Sequence, residues 1–448
     1  MIDVPVCGGR PGTCTSFIQP SSSGVGIPNT RIVETGRRLL PDTVSSIVNH
    51  IPRDEQTGRR RDENLMAEVT PYRIEIPDAD LDDLRDRLRR TRWPDRETVP
   101  DWSQGIPLGY LRELCSYWAE EYDWRATERR LNALDQVKVS IDGLDIHVLH
   151  VTSPHVGAVP LLMTHGWPGS IVEFLDVIGP LTDPVAHGGS AADAFHLVLP
   201  SLPGYGFSDK PTGTGWGVPR IADAWAELMI VLGYDRYALQ GGDWGAMVST
   251  ALAVRHPGAV LGLHLTLPSV DIRVAMAELG ELDEWDRVSL DAGRRYRKEE
   301  AGYSTQQSTR PQTVGYGLVD SPAALAGWIV EKFHGWTDCD GHPEKVLTRD
   351  QLLDNVMMYW LPAAGASSAR LYWESFRNRP EGLVTVPTGC SIFPRELFRL
   401  SRRLVETRFR DLRYWNEPDR GGHFAAFEQP AIFVDEVRAF FRLLPVPR

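Results

Sequence analysis

From Val159 onward, short apolar runs alternate with amphipathic stretches along the chain. The apolar runs are VPLLMTH, HLVLPSL, YALQGG and AVLGLHLTLP, and segments such as SIVEFLDVIGPL and RIADAWAELMIVLG separate them. Continuous apolar runs are typical of parallel strands buried on both faces, and the amphipathic segments are typical of the helices that cover them. The alternation predicts an α/β fold with a mostly parallel sheet flanked by helices.

Two amphipathic helices and a hairpin are predicted before this alternation begins. Residues 77–93 place three leucines on one helical face, with acids at the start and arginines at the end, which suits the helix dipole. Residues 106–124 have the pattern of a second amphipathic helix. QVKVSIDG and LDIHVLHVT alternate in polarity around the Asp-Gly pair at 142–143, which predicts two strands joined by a tight turn.

The alternation is interrupted once and is preceded by a segment with little periodicity. Residues 269–380 are helical and aromatic-rich in pattern, after which the strand LVTVP (383–387), the strand-like RYWNE and a terminal helix AIFVDEVRAFFRLL restore the core. The Gly/Ser/Pro-rich start predicts a disordered tail, and Met66 is a hypothetical true start. The predicted organisation is a tail over 1–65, an N-terminal segment over 66–145, a core over 146–268 and 381–448, and a helical cap over 269–380.

Composition and charge exclude several classes of function. The chain has 42% hydrophobic and 24% charged residues, as in an ordinary soluble globular protein, and its net charge of −12 opposes binding to nucleic acid. Five scattered cysteines without a C-x-x-C pair predict neither a disulfide framework nor a zinc ribbon. No apolar run approaches about 18 residues, so we expect a cytoplasmic protein without a membrane anchor.

The stretch YALQGGDWGAMVST, residues 237–250, predicts a strand, a glycine turn and a helix, with Asp243 at the centre of the turn. A dinucleotide-binding turn needs G-x-G-x-x-G, but Gln240 replaces the first glycine and Asp243 would repel a pyrophosphate. The spacing that fits is G-x-nucleophile-x-G, formed by Gly241, Asp243 and Gly245, which is the nucleophile elbow of α/β-hydrolases. The structural alternative is that Asp243 only caps the following helix.

An aspartate at the elbow changes the chemistry that the usual serine would perform. A serine that attacks an alkyl carbon leaves an ether, which water does not readily cleave, whereas a carboxylate leaves an ester. With an unperturbed pKa of about 3.9, Asp243 is ionised at neutral pH and needs no base for the attack. Epoxides and alkyl halides are therefore the expected substrates.

A base and its orienting acid are expected late in the chain, because the triad order in this fold is nucleophile, acid, histidine. RGGHFAAFEQP supplies His423 after a Gly-Gly turn, although most single histidines are structural or exposed. VPTGCSIFPRELF supplies Glu396, and from the residues alone Asp411, Glu417 and Asp419 are rivals for the acid.

The segment MTHGWPGS follows a strong strand and predicts an oxyanion hole. Its loop can aim the backbone N–H of Trp167 at the ester carbonyl, with the N–H of Trp244 as the second donor. Pro168 is expected in a cis bend, and His165 is interpreted as part of the loop architecture. The alternative is a tight turn with a structural histidine.

Taken together, HGWPGS, SLPGYGFS, GGDWG, VPTG…FPRE and RGGHFAAFEQP resemble signatures of the microsomal-type epoxide hydrolases of the α/β-hydrolase superfamily. The resemblance runs from about Pro71 to the C-terminus, and it implies that Asp243 is the nucleophile, His423 the base and Glu396 its partner. It also implies two cap tyrosines that donate to the epoxide oxygen. EAGYSTQQ and SSARLYWESF match them at Tyr303 and Tyr372, which otherwise would be half-buried anchors of the cap.

The implied reaction converts an epoxide and water to a vicinal diol, without a metal or an organic cofactor. The expected substrate is a bulky apolar or aryl epoxide, since Trp167, Trp244 and Phe393 give an aromatic lining beside the two tyrosines. A haloalkane dehalogenase is the main alternative, because Trp244 follows the nucleophile where that family has a halide-binding indole. The third interpretation of the function is an inactive binding module on the same fold. A homo-oligomer is also possible. The polar tail departs from the membrane-anchoring helix of microsomal relatives, which again argues against an anchor.

Overall fold

The protein is described here by a computed structural model, over residues 68–376 and 381–445. The expected tail over 1–65 and the hypothetical start at Met66 lie outside the described residues. Within them, the strands are β1 Val69–Pro71, β2 Gln136–Ile141, β3 Leu144–Val151, β4 Val159–Thr164, β5 Phe195–Pro200, β6 Tyr237–Gly241, β7 Val260–Leu265, β8 Thr388–Ser391 and β9 Leu412–Asn416. These strands form one sheet in the order β1-β2-β3-β5-β4-β6-β7-β8-β9.

The sheet is antiparallel at one side and parallel through its centre. β1, β2, β3 and β5 pair antiparallel in that order, and β5, β4, β6, β7, β8 and β9 pair parallel. Thr164 lies opposite Gly241, Gly241 opposite Leu265, and Leu265 opposite Cys390, so the carboxyl ends of four neighbouring strands are level. In open α/β sheets the loops beyond these ends form the ligand-binding crevice.

Helices surround the sheet and fill the connection between β7 and β8. Before that connection the helices are α1 Asp78–Arg89, α2 Leu108–Glu120, α3 Trp124–Asn132, α4 Leu175–Thr182, α5 Val218–Val231 and α6 Asp243–Arg255. The inserted helices between β7 and β8 are α7 Ile272–Leu279, α8 Glu284–Glu299, α9 Gly302–Thr309, α10 Pro311–Asp320, α11 Pro322–Trp336, α12 Arg349–Trp360 and α13 Gly365–Ser375. The remaining helices are α14 Arg402–Glu406, α15 Ala425–Glu428 and α16 Pro430–Arg442.

The hydrophobic core lies between the sheet and these helices. α5 packs against α6 and α4 packs against α16, and both pairs contact strands of the sheet. Leucines 81, 84 and 88 of α1 are buried, and acidic and basic residues occupy its first and last turns as the sequence predicts. No helix within the described ranges is both long and apolar enough to cross a bilayer.

The N-terminal segment is joined to the inserted helices by buried hydrogen bonds. The hydroxyl groups of Tyr122 and Thr127 donate to Oδ1 of Asp354 on α12, at 2.7 and 2.6 Å. Burial raises the pKa of Asp354 to about 6. This contact fixes α12 against α3, and α12 in turn contacts the candidate site.

Most predicted elements are confirmed, but the strand predicted over 383–387 is wrong. Val384 forms only an isolated bridge with Phe409, and β8 begins at Thr388. The register with β7 explains the difference. The carbonyl of Pro387 accepts the N–H of Leu263 at 2.9 Å, but Pro387 has no N–H to donate in return, so ladder pairing with β7 starts one residue later. The segment SIVEFLDVIGPL also begins as a 3₁₀ helix over Ile171–Phe174 before it continues as α4.

Candidate active site

Asp243 stands at the turn between β6 and α6, where the backbone takes a left-handed conformation. Its φ is 47°, a value that non-glycine residues adopt in only a few per cent of cases. A methyl group on Gly241 would overlap the backbone of Gly245, and one on Gly245 would overlap the carbonyl of Thr164. The G-x-Asp-x-G spacing is therefore required for α6 to begin this close to β4, and the strained turn presents the carboxylate at the sheet edge.

The loop that follows β4 contacts this carboxylate directly. The backbone N–H of Trp167 donates to Oδ1 of Asp243 at 2.8 Å, and the Trp167–Pro168 peptide bond is cis, as predicted. His165 lies beneath the loop, where burial lowers its pKa to about 4 and keeps it neutral. Its Nε2 accepts the N–H of Leu202 at 3.1 Å, so Nδ1 carries the proton and donates to the Gly166 carbonyl at 2.9 Å.

The inserted helices hold the same loop in place. Nδ2 of Asn355 donates to the Pro168 carbonyl and Oδ1 of Asn355 accepts from the Ser170 hydroxyl, both at 2.7 Å. The hydroxyl of Tyr359 donates to the Gly169 carbonyl at 2.6 Å. Three hydrogen bonds from α12 thus fix the loop whose N–H meets the carboxylate.

His423 follows β9 and lies between two carboxylates. Its Nδ1 donates to Oε1 of Glu396 at 2.5 Å, and its Nε2 is 3.5 Å from Oδ2 of Asp243. Both His423 and Glu396 are buried. The rival acids have other surroundings: Asp411 pairs with Arg413, Glu417 with Arg399, and Asp419 is exposed.

The two carboxylates determine the charge of the imidazole. Burial by itself would lower the pKa of His423, but the charges of Glu396 and Asp243 outweigh it and raise the pKa well above its ordinary value. The imidazole is therefore protonated while Asp243 is ionised. Loss of the negative charge on Asp243 would lower that pKa and release a neutral base.

The two predicted tyrosines lie over the loop from the inserted helices. Tyr303 stacks on Trp167 with ring centroids 4.8 Å apart, and Tyr372 meets Trp167 edge-on at 5.9 Å. Tyr372 also meets Trp244 edge-on at 4.7 Å. Burial raises the pKa of both phenols well above 10, so both keep their protons at neutral pH.

A cavity at the sheet edge contains Asp243 and His423. Of the five residues predicted to line the substrate site, only Trp167 borders this cavity, whereas Trp244, Tyr303, Tyr372 and Phe393 do not. Its walls include Trp167, Asp243, His423, Glu173, Phe174 and Phe424. Phe393 was expected in the aromatic lining, but it is fully buried and its ring lies against Gly421. The chain turns after β8 to bring Glu396 to His423, and Phe393 fills the space beneath that turn.

Three residues at the site escape the sequence reasoning. The hydroxyl of Tyr296 is 2.7 Å from that of Tyr303, and Trp336 meets His423 edge-on with centroids 5.1 Å apart. Glu173 lines the cavity and is 9% exposed. Of these three residues, only Glu173 stands out in the sequence. It is a single acid in an otherwise apolar run, among Ile171, Val172, Phe174 and Leu175.

The sheet, the elbow and the histidine after the last strand together define an α/β-hydrolase whose elbow carries aspartate. Two family models match the chain: one described as the epoxide hydrolase N terminus, over residues 69–174, and one described as the alpha/beta hydrolase fold, over residues 159–308.

Several known proteins to which the chain is similar are named epoxide hydrolases. The chain is 53% identical to a Stigmatella aurantiaca protein named "Putative epoxide hydrolase" (84% of this chain, 85% of the relative), and 36% identical to epoxide hydrolase 1 of Sus scrofa (84% and 89%). The crystal structure of juvenile hormone epoxide hydrolase from the silkworm Bombyx mori superposes with a TM-score of 0.77 at 33% identity, over 84% of this chain and 95% of that one. The chain belongs to the epoxide hydrolase family, and it is a hydrolase that acts on ether bonds.

Proposed function

We propose that the protein converts an apolar or aryl epoxide to a vicinal diol through a covalent ester on Asp243. The observation that carries the proposal is the position of the two carboxylate oxygens. Oδ1 accepts the Trp167 N–H, and Oδ2 faces His423 and its partner Glu396. One oxygen is thus held by a donor that can stabilise an oxyanion, and the other is available to attack carbon.

In the first step, Oδ2 of Asp243 attacks an epoxide carbon and the carbon–oxygen bond of the ring breaks. Tyr303 or Tyr372 donates its phenolic proton to the departing oxygen, which leaves a hydroxyl on the ester and a tyrosinate on the enzyme. The raised pKa values of both phenols hold the protons until the alkoxide develops.

In the second step, water attacks Cγ of the ester. Nε2 of His423 takes one proton from the water, and the Trp167 N–H stabilises the negative charge on Oδ1. The bond between Cγ and Oδ2 breaks, and Oδ2 leaves with the substrate carbon. The imidazolium protonates Oδ2, which completes the diol. When esterification neutralises Asp243, the imidazolium of His423 loses its first proton, which restores the tyrosinate to a phenol. The proton released when Asp243 ionises again returns to His423, so the sum is epoxide plus water to diol.

Oxygen labelling in a single turnover tests this two-step path. With enzyme in excess over styrene oxide in H₂¹⁸O, we expect an unlabelled first diol and one ¹⁸O atom in the peptide that contains Asp243, measured by mass spectrometry. Oδ2 leaves with the product and solvent oxygen replaces it. Label in the first diol would instead mean direct attack by water and would contradict the proposal.

A parallel arm with a chloroalkane tests the dehalogenase alternative. The buried indole Nε1 of Trp244 has no acceptor among the described residues, and a halide could accept its hydrogen bond. We expect diol from the epoxide and no halide release from the chloroalkane. Halide release without diol formation would favour the alternative.

Phenylalanine variants of the tyrosines test their proposed role as donors. We expect Tyr303→Phe or Tyr372→Phe to slow ester formation by roughly 10-fold to 10²-fold, and the double variant by at least 10³-fold, because an alkoxide without a donor is a poor leaving group. Rapid mixing, followed by tryptophan fluorescence, measures this step. Tyr316→Phe is the matched control, since Tyr316 is 70% exposed on α10. An unchanged rate in the double variant would remove the tyrosines from the mechanism.

A further inference from the structure

Glu173 is a buried acid in the active-site cavity that the proposed mechanism leaves unused. It belongs to the 3₁₀ helix Ile171–Phe174, directly after the loop that contains Trp167. Its side chain lines the same cavity as Asp243 and His423. Within the described part of the chain, neither of its carboxyl oxygens has a hydrogen-bond partner, although the residue is only 9% exposed. A carboxyl group that lines a cavity and has no protein partner leaves its oxygens available to a molecule bound in that cavity.

A second group in the cavity points to the same conclusion. Gln240 also lines the cavity, and its Oε1 is buried without a donor among the described residues. Both groups can accept hydrogen bonds from molecules in the cavity. A polar cavity with several acceptors is one that binds water.

The surroundings of Glu173 set its charge. Burial raises its pKa to about 8, the charge of Asp243 adds to this rise, and the charge of His423 opposes it. The other titratable groups near it are His165, which is neutral in the same cavity, and Tyr359 on α12, whose raised pKa keeps it protonated. At pH 7 Glu173 is therefore mainly a neutral carboxylic acid, which adds no negative charge beside the ester.

We propose that Glu173 binds and orients the water molecule that hydrolyses the ester on Asp243. The water donates one hydrogen to Nε2 of His423 and the other to the carbonyl oxygen of the Glu173 carboxyl group, which leaves a lone pair directed at Cγ of Asp243. Glu173 neither gains nor loses a proton in the step. The inference rests on the proposed function, because it concerns only the second of the two steps.

Single-turnover kinetics of three variants test the inference. Glu173→Leu removes the acceptor at similar size, Glu173→Gln keeps a carbonyl oxygen but cannot ionise, and Asp176→Asn is the matched control. Asp176 lies three residues further on, is partly exposed and pairs with Arg130. Rapid mixing with styrene oxide gives the rates of ester formation and ester hydrolysis separately, and mass spectrometry of the quenched enzyme measures the ester.

We expect Glu173→Leu to slow ester hydrolysis by about 10²-fold and ester formation by less than about 3-fold, so that the ester accumulates. Glu173→Gln should hydrolyse the ester within about 5-fold of the wild-type rate at pH 7, and Asp176→Asn should match the wild type. Equal slowing of both steps, or a change in KM alone, would overturn the inference. Glu173→Gln keeps the test valid if the leucine variant does not fold.

The pH dependence of ester hydrolysis distinguishes the proposed role of Glu173 from a purely structural role, which would leave the pH profile unchanged. In the wild type, ionisation of Glu173 at alkaline pH places a negative charge beside the oxyanion that forms on Asp243, so the rate of ester hydrolysis should fall as pH rises above neutrality. This decline should be absent in Glu173→Gln, and its persistence there would contradict the inference. Absence of any ester in the wild type would instead contradict the proposed function.

Discussion

Asp243→Ala is expected to lower kcat/KM for epoxide hydrolysis by at least about 10⁴-fold. The variant lacks the oxygen that forms the bond to carbon, and removal of a covalent nucleophile leaves only the contribution of binding and of the oxyanion donors. Initial rates of diol formation over a wide range of enzyme concentration measure the loss. Asp419→Ala is the matched control, since Asp419 is an exposed acid.

A folding defect must be separated from the loss of the nucleophile. Alanine is less suited than asparagine to the left-handed backbone at this position, where φ is 47°. Asp243→Asn therefore serves as the second variant, with its intact mass verified, and we expect it to be equally inactive because an amide oxygen is a poor nucleophile. Thermal unfolding should show a cooperative transition for both variants. Diol formation near the wild-type rate in either one would refute the covalent mechanism.

His423→Gln is expected to stop the reaction at the ester. Steady-state turnover should fall by about 10³-fold or more, because water has no base, whereas ester formation should change by less than about 10-fold. Intact-mass analysis should then show a protein adduct that equals the mass of one substrate, located on the peptide with Asp243. His256→Gln is the control, since His256 is a partly exposed histidine that pairs with Asp223. Lost turnover without an adduct would mean that His423 acts in the first step.

The position of His423 between two carboxylates also predicts the pH dependence of the second step. In the free enzyme Asp243 and Glu396 raise the pKa of His423, so the imidazole is charged and pairs with the nucleophile. Esterification neutralises Asp243, which lowers the pKa of the imidazole and makes it a base. Ester hydrolysis should therefore slow at acidic pH as His423 regains its proton. Only the hydrolysis rate should follow this titration.

The alternation of apolar runs and amphipathic segments predicted the parallel sheet and its helices correctly, since buried parallel strands need continuous apolar sequence. The same reasoning failed at residues 383–387, where Val384 and Val386 have the composition of a strand. The position of β8 depends on which residue meets Leu263 of β7. Composition cannot specify that register, because it depends on a neighbouring strand more than 100 residues away.

For the site, local sequence was sufficient where one turn determines the geometry. The spacing of Gly241, Asp243 and Gly245 predicts the elbow, because close approach of α6 to β4 excludes side chains at both glycines. The acid partner of His423 was a different problem. The residues alone left four candidates, the family resemblance favoured Glu396, and the structure brings Glu396 to 2.5 Å from Nδ1 of His423.

The sequence by itself determined the fold class, the aspartate at the elbow and the resemblance to epoxide hydrolases, because each depends on periodicity or on residues within one short segment. Only the tertiary structure decided that Glu173 and Gln240 face one cavity, that Tyr296 meets Tyr303, and that Phe393 lies beneath a turn. These facts depend on how separate segments meet in space and on whether a buried polar atom finds a partner. Such contacts are set by packing across the whole molecule, and no local pattern encodes them.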